Sequence, residues 1–143
     1  MKFISHRGNL TGPNPERENH PSYILEATAN GFEVEIDLWY ENGKLILGHD
    51  EPQYEVSRDM IESHNFYIHA KNLEALHHLV EKYSHLHFFW HEEDDFTLTS
   101  RNFIWTFPEK NVTNRSIIVC KAEEEVERYK TLDCYGICTD YIL

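Results

Sequence analysis

"GFEVEIDLWYENGKLILGHD", residues 31 to 50, is the stretch on which the fold turns. Val34, Ile36 and Leu38 alternate with Glu33, Glu35 and Asp37, and side chains on a strand alternate between its faces, so one face is apolar and the other acidic. On a solvated amphipathic strand the acids would face water. In a parallel barrel the apolar face meets the surrounding helices and the acids point inward, where carboxylates repel one another unless a cation or a proton lies between them. Glu35 and Asp37, nearest the strand's exit, then form half a shell of oxygen ligands for a divalent ion. Asn42-Gly43 is a strong hairpin signal, and the short strand after it returns His49 and Asp50 to the region where Glu35 and Asp37 leave theirs.

Short runs rich in aromatic and branched residues recur on both sides of this segment: "KFIS", "FYIHA", "HLHFFWH", "NFIWTF", "SIIVC" and "YGICTDY". Each reads as a strand. Helical patterns lie between some of them. "HPSYILEATANG" stops at Gly31, "NLEALHHLVEKY" has Leu73, Leu76, Leu79 and Val80 at helical spacing, and "AEEEVERYKTL" has Val126, Tyr129 and Leu132. Strand alternating with helix implies parallel pairing with helices outside. Some crossovers are reduced to loops, notably "EDDFTLTSR". A full eight-fold barrel takes about 250 residues, so the 143 residues here predict a reduced TIM-type (β/α) barrel of seven or eight strands with some helices missing. No linker or repeat divides residues 1–143, which are expected to form a single domain.

The formal charge of −12 argues against nucleic acid as a partner, because phosphate backbones are bound by positive surfaces. An anionic ligand must be drawn in by local charge. The opening "MKFISHRGN" has no apolar core long enough for a signal peptide, and no later run is long enough to insert in a membrane, so a cytoplasmic protein is expected. Cys120, Cys134 and Cys138 form no disulfide framework and are expected as buried core thiols. Phe88, Phe89, Trp90, Phe103, Trp105 and Phe107 read as core, with Trp39 and Trp105 close to strand exits. An incomplete helical jacket leaves apolar surface that self-association would cover, which makes a homo-oligomer an expectation.

In "ISHRGNLTG", residues 4 to 12, a strand ends in His6, Arg7 and Gly8. His6, Arg7, the Glu35/Asp37 pair and His49 are all strand-end positions, and barrel enzymes keep their sites at the carboxyl ends of the strands. Two imidazoles, a guanidinium and an acid pair suit the cleavage of a phosphate ester. One imidazole takes a proton, the other gives one, and the cation and guanidinium stabilise charge on phosphorus.

The order of these residues resembles the glycerophosphodiester phosphodiesterase family, which shares the barrel of phosphatidylinositol-specific phospholipases C. The family's opening pattern is matched by His6-Arg7-Gly8, Glu18-Asn19, Gly31, Glu35-Ile36-Asp37 and His49-Asp50, over residues 3 to 50, and a weaker match lies in "GICTDY" at 136 to 141. The resemblance implies a general acid/base pair in His6 and His49, phosphate contacts from Arg7 and Lys71, and a divalent ion (Mg²⁺, Ca²⁺ or Mn²⁺) on Glu35 and Asp37, with Glu18 and Asn19 bracing the pocket. The family's third barrel strand carries Glu-x-Lys, whereas "IHAKN" has His69 in place of the glutamate. Either His69 ligates the ion through a neutral nitrogen, shifting preference away from calcium toward Mn²⁺, Zn²⁺ or Mg²⁺, or it bonds Glu35 or Asp37 and the ion is weak or absent. His91, Glu92 and Asp94 follow a strand at the same rim and either complete the site or form a solvated acidic loop.

The function implied is a metal-dependent phosphodiesterase acting on a small-molecule or glycan-linked phosphodiester, such as a glycerophosphodiester. The alternative is an inactive module on the same barrel that binds phosphate ligands. Retention of both His6 and His49 favours the enzyme, since binding alone needs no acid/base pair.

Overall fold

The computed structural model describes residues 1–143. Its elements run β1 (Lys2–His6), α1 (Pro21–Ala29), β2 (Glu33–Glu41), β3 (Lys44–Leu47), β4 (Tyr54–Val56), α2 (Arg58–Ser63), β5 (Phe66–Ala70), α3 (Leu73–Lys82), β6 (His87–Trp90), β7 (Phe96–Leu98), β8 (Ile104–Thr106), β9 (Ser116–Cys120), α4 (Glu123–Tyr129) and β10 (Gly136–Thr139). Parallel ladders join β6, β5, β2, β1, β10, β9 and β8 in that order, a curled sheet of seven strands that forms a reduced barrel. All eight expected strands are present. The short β4, α2 and β7 lack the length to show a periodicity in sequence.

No ladder joins β6 to β8. The seam is crossed instead by the strap that includes β7, which pairs antiparallel with β8. Ser100 N donates to the Phe88 carbonyl at 2.8 Å, Phe88 N donates to Ser100 Oγ at 2.9 Å, and Thr97 Oγ1 donates to the Trp90 carbonyl at 2.9 Å. These bonds satisfy backbone groups of β6 that an absent neighbour strand would otherwise pair. Phe89 and Trp105 stack across the seam with ring centroids 4.3 Å apart. The "EDDFTLTSR" crossover has no helix, as expected; on its exposed side Phe96 and Leu98 are more than half accessible. No helix is long and apolar enough to cross a membrane.

The alternation in β2 separates two cores. Val34, Ile36 and Leu38 are fully buried outward, packed with Ile24 and Ala27 of α1 and Ala75 and Leu79 of α3. Inside the barrel Ile4, Tyr67, Phe89, Trp105, Ile117 and Cys138 form one apolar layer. All three cysteines are buried and free, as expected, with Cys120 and Cys134 packed beneath α4.

Helix α3 corrects one expectation. Leu73 is 71% exposed and Val80 53%, while Ala75 and Leu79 are buried. The cause is Asn72, the helix N-cap, whose Oδ1 accepts from Ala75 N and from Tyr40 N, and whose Nδ2 donates to the Tyr40 carbonyl. Tied to β2 in this way, the helix is rotated so that Ala75 and Leu79 face the sheet. Helix α4 likewise ends at Tyr129, leaving Leu132 exposed while Val126 and Tyr129 are buried.

The hairpin acts as read. Asn42 and Gly43 both have positive φ, 52° and 74°, as a tight two-residue turn requires. Along one edge of β2, Arg7 N donates to the Glu35 carbonyl at 3.0 Å and Gly48 N donates to the Asp37 carbonyl at 3.1 Å. His6 and His49 therefore flank successive positions of the same strand. Gly48 is obligatory there, because a Cβ would collide with the Glu51 backbone carbonyl.

The orientation of α3 has a direct test. Leu79→Ala is expected to lower unfolding free energy by about 2–5 kcal/mol, and Leu73→Ala to change it by no more than about 0.5 kcal/mol, both read by urea titration. Equal effects would contradict the Asn72-fixed rotation.

Candidate active site

At the carboxyl ends of the parallel strands lies a cleft of about 510 Å³, lined among others by His6, Arg7, Glu35, His49, His69, Lys71 and His91. Six of the seven residues expected to bear chemistry thus line one cleft, and Asp37, fully buried, lies in its floor. Glu18 and Asn19 stand behind Arg7 in an adjoining pocket shared with His49.

Arg7 reaches this position because its backbone is left-handed, at φ 58°, and Gly8 follows at φ 96°. A side chain at Gly8 would meet the Tyr23 ring at 2.7 Å. Arg7 Nη1 donates to Glu18 Oε1 at 3.1 Å, and Arg7 Nε lies 3.1 Å from Asp37 Oδ2. Glu18 Oε2 accepts from Asn14 N, which fixes the carboxylate. Asn19, itself at φ 65°, donates from Nδ2 to Asp37 Oδ2 at 2.8 Å and accepts from Asp37 N at 3.0 Å. Burial works against the charge on Arg7, but Asp37, Glu35 and Glu18 outweigh it and raise its pKa.

Glu35 and Asp37 share the floor with His69. One ligand atom from each of the three lies within 4.8 Å of the others. His69 Nδ1 is 3.2 Å from Asp37 Oδ1 and 4.0 Å from Glu35 Oε2. The 3.2 Å approach does not meet hydrogen-bond geometry, so Asp37 Oδ1 is left without a donor, as is Glu35 Oε1. Burial, then the charge of Asp37, pushes the Glu35 carboxyl well above its ordinary value. Burial also opposes ionisation of Asp37, but His69, Arg7 and Lys71 prevail and hold it well below the usual carboxylate range. Two environments two residues apart thus split an acid pair. Orphaned buried oxygens on two carboxylates beside an imidazole nitrogen are a donor set that fits a divalent cation.

The two histidines at the rim differ in support. His6 Nδ1–H donates to Asp140 Oδ1 at 2.9 Å, and its Nε2 lies 3.9 Å from Glu35 Oε1. Asp140 also accepts from Asn9 Nδ2 at 2.9 Å, and Tyr23 Oη donates to Asn9 Oδ1. Asp140 is held below the usual carboxylate range, since His6 and Asn9 outweigh its burial. His49 Nδ1–H donates to the exposed Asp50 at 2.7 Å. Burial first, and Arg7 next, lowers the His49 pKa below 6.5.

Several residues of the cleft were not assigned from sequence. Asp140 orients His6 from 134 positions away; its only trace was the "GICTDY" match. Of the acidic stretch after β6, His91 and Glu92 line the cleft and Asp94 does not. His91 offers its carbonyl to His69 Nε2–H at 2.8 Å. Trp90 and Phe107, expected in the core, line the cleft with Trp39 and Trp105, so all three tryptophans of the chain line it. Lys121, just after β9, adds a further cation to the lining of the cleft.

A curled parallel sheet, open between β6 and β8, with a polar cleft at the carboxyl ends of its strands is consistent with a reduced (β/α) barrel. Compared by structure, it is similar to the crystal structure of a "putative glycerophosphodiester phosphodiesterase" from Galdieria sulphuraria, with a TM-score of 0.59 and 13% identity over 99% of this chain and 94% of that one. The two share a fold over nearly their whole lengths. Compared by sequence, the chain matches no family model and no curated protein.

The split acid pair carries a signed pH dependence. Glu35 binds its proton more tightly in the folded state, so its contribution to stability is full below the ordinary value of 4.5 and is lost as pH rises through the raised value. In EDTA, melting temperature should fall across that rise. Glu35→Gln should abolish the fall and raise the melting temperature at pH 7 above that of the wild type. A flat wild-type profile would contradict the burial of an uncompensated carboxylate.

Proposed function

We propose that residues 1–143 form one phosphodiesterase domain, which uses His6 and His49 as a proton-transfer pair and binds a divalent ion at Glu35, Asp37 and His69. One observation carries the reading. His6 Nε2 stands beside Glu35 Oε1, over two buried carboxylates with unpartnered oxygens, in a cleft that also presents Arg7, Lys71 and His49. The fold shared with the Galdieria sulphuraria protein, whose name is that of a glycerophosphodiester phosphodiesterase, supports the same class.

Arg7 and Lys71 draw the phosphate diester into an otherwise acidic protein and bind its non-bridging oxygens. Glu35, Asp37 and His69 would hold a divalent ion, which would supply further positive charge beside the phosphate. His49, neutral at pH 7 because burial and Arg7 disfavour its charged form, takes the proton of the attacking hydroxyl or water. His6, with Nδ1–H tied to Asp140, turns Nε2 to the cleft and gives a proton to the leaving oxygen. Glu18 and Asn19 hold Arg7 and Asp37 in place without touching the substrate. The substrate is a diester of a small polyol or of a sugar, whose ring faces fit the tryptophans that line the cleft.

His6→Ala and His49→Ala are each expected to reduce diester cleavage by at least about 10²-fold, with ligand binding retained, and kcat/KM should follow a bell-shaped pH profile. EDTA should abolish activity and a divalent ion restore it. Unchanged ligand affinity with no turnover under any divalent ion would establish the binding module instead. Asp140→Asn should lower kcat and displace one limb of the pH profile while leaving melting temperature close to wild type, a pattern that a merely structural role would reverse.

A further inference from the structure

His69 enters the pocket from β5, in register with Asp37. Its Nε2–H is committed to the His91 carbonyl at 2.8 Å, and Phe89 lies against its ring with centroids 5.1 Å apart and planes 19° from parallel. These contacts fix both tautomer and ring plane. In the neutral ring Nδ1 is then a lone pair facing Asp37 Oδ1 at 3.2 Å and Glu35 Oε2 at 4.0 Å. A lone pair among buried carboxylate oxygens is repulsive until a cation is shared between them. An imidazole whose far N–H is bonded to a backbone carbonyl has the usual form of a metal-bound histidine. Ca²⁺ and Mg²⁺ take oxygen ligands, whereas imidazole nitrogen favours first-row transition ions.

We propose that this pocket selects a first-row transition divalent cation, of the series Mn²⁺ to Zn²⁺, over Ca²⁺ and Mg²⁺, with His69 Nδ1 as the selecting ligand beside the unpartnered oxygens of Glu35 and Asp37. It rests on the divalent-ion reading of the same site and adds the choice of ion. His91 acts through its main chain, holding the His69 tautomer that offers Nδ1.

The test uses the full chain freed of metal by EDTA and then of EDTA by dialysis. Co²⁺, Zn²⁺, Ca²⁺ and Mg²⁺ are titrated by calorimetry, and Co²⁺ is also followed by its visible ligand-field absorption. Co²⁺ and Zn²⁺ are expected to bind one site at least about tenfold more tightly than Ca²⁺ or Mg²⁺. In His69→Glu that ratio should fall by about tenfold or more. Ca²⁺ or Mg²⁺ binding as tightly as Co²⁺ in the wild type overturns the proposal, whether or not the variant folds. The chain has ten histidines, so the Co²⁺ signal must disappear in Asp37→Asn; its survival there assigns it elsewhere and also overturns the proposal. Diester cleavage separates the two readings. Cleavage with Ca²⁺-selective binding ends the choice of ion and keeps the hydrolase, while Co²⁺-selective binding without cleavage does the reverse.

Discussion

Two carboxylates with almost no access to water, Glu35 and Asp37, sit two residues apart on one strand and point into one barrel. Their mutual repulsion, unscreened above the dry layer of Ile4, Tyr67, Phe89, Trp105, Ile117 and Cys138, is the constraint to which the surrounding structure responds. A left-handed backbone costs Arg7 on the order of 1–3 kcal/mol, whereas asparagine takes it readily. Arg7 and Asn19 both direct polar groups at Asp37. They divide the pair into one well-supported anion and one carboxyl short of partners.

The same constraint explains how much of the site was legible. Period-two alternation in β2 is local, and so is the Asn42-Gly43 turn; together they place Glu35, Asp37 and His49 without knowledge of any distant contact. His6 and Arg7 were legible because a strand that ends in glycine announces its rim. Asp140 was not, because its meaning comes from His6 and Asn9, more than 130 positions away. Trp90 and Phe107, expected in the core, line the cleft for a related reason. An aromatic residue on a strand reads the same whether its face meets the core or the cleft, and the strap across the β6–β8 seam decides which. The face of α3 fell to a single side chain, Asn72, whose bonds to Tyr40 prevailed over the leucine spacing.

Loss of helices from the barrel is compensated chemically as well as geometrically. Where β6 lacks a parallel neighbour, hydroxyl groups of Thr97, Thr99 and Ser100 take over as hydrogen-bond partners, Thr99 through His87 Nε2 at 2.7 Å. The stacked Phe89 and Trp105 keep the interior layer continuous. The site therefore rests on a closed apolar floor even where the jacket is open, and the electrostatics of the acid pair do not depend on the missing helices.

An imidazole at position 69 also changes what the empty pocket must withstand. A third carboxylate there would add a third negative charge to a dry site in which Glu35 already resists ionisation. His69 instead brings an imidazole against Asp37, its Nε2–H held by a backbone carbonyl that carries no net charge. A cation shared by all three residues would relieve the repulsion that remains between the carboxylates. The affinity for such an ion and the stability of the fold would then be coupled in one pocket.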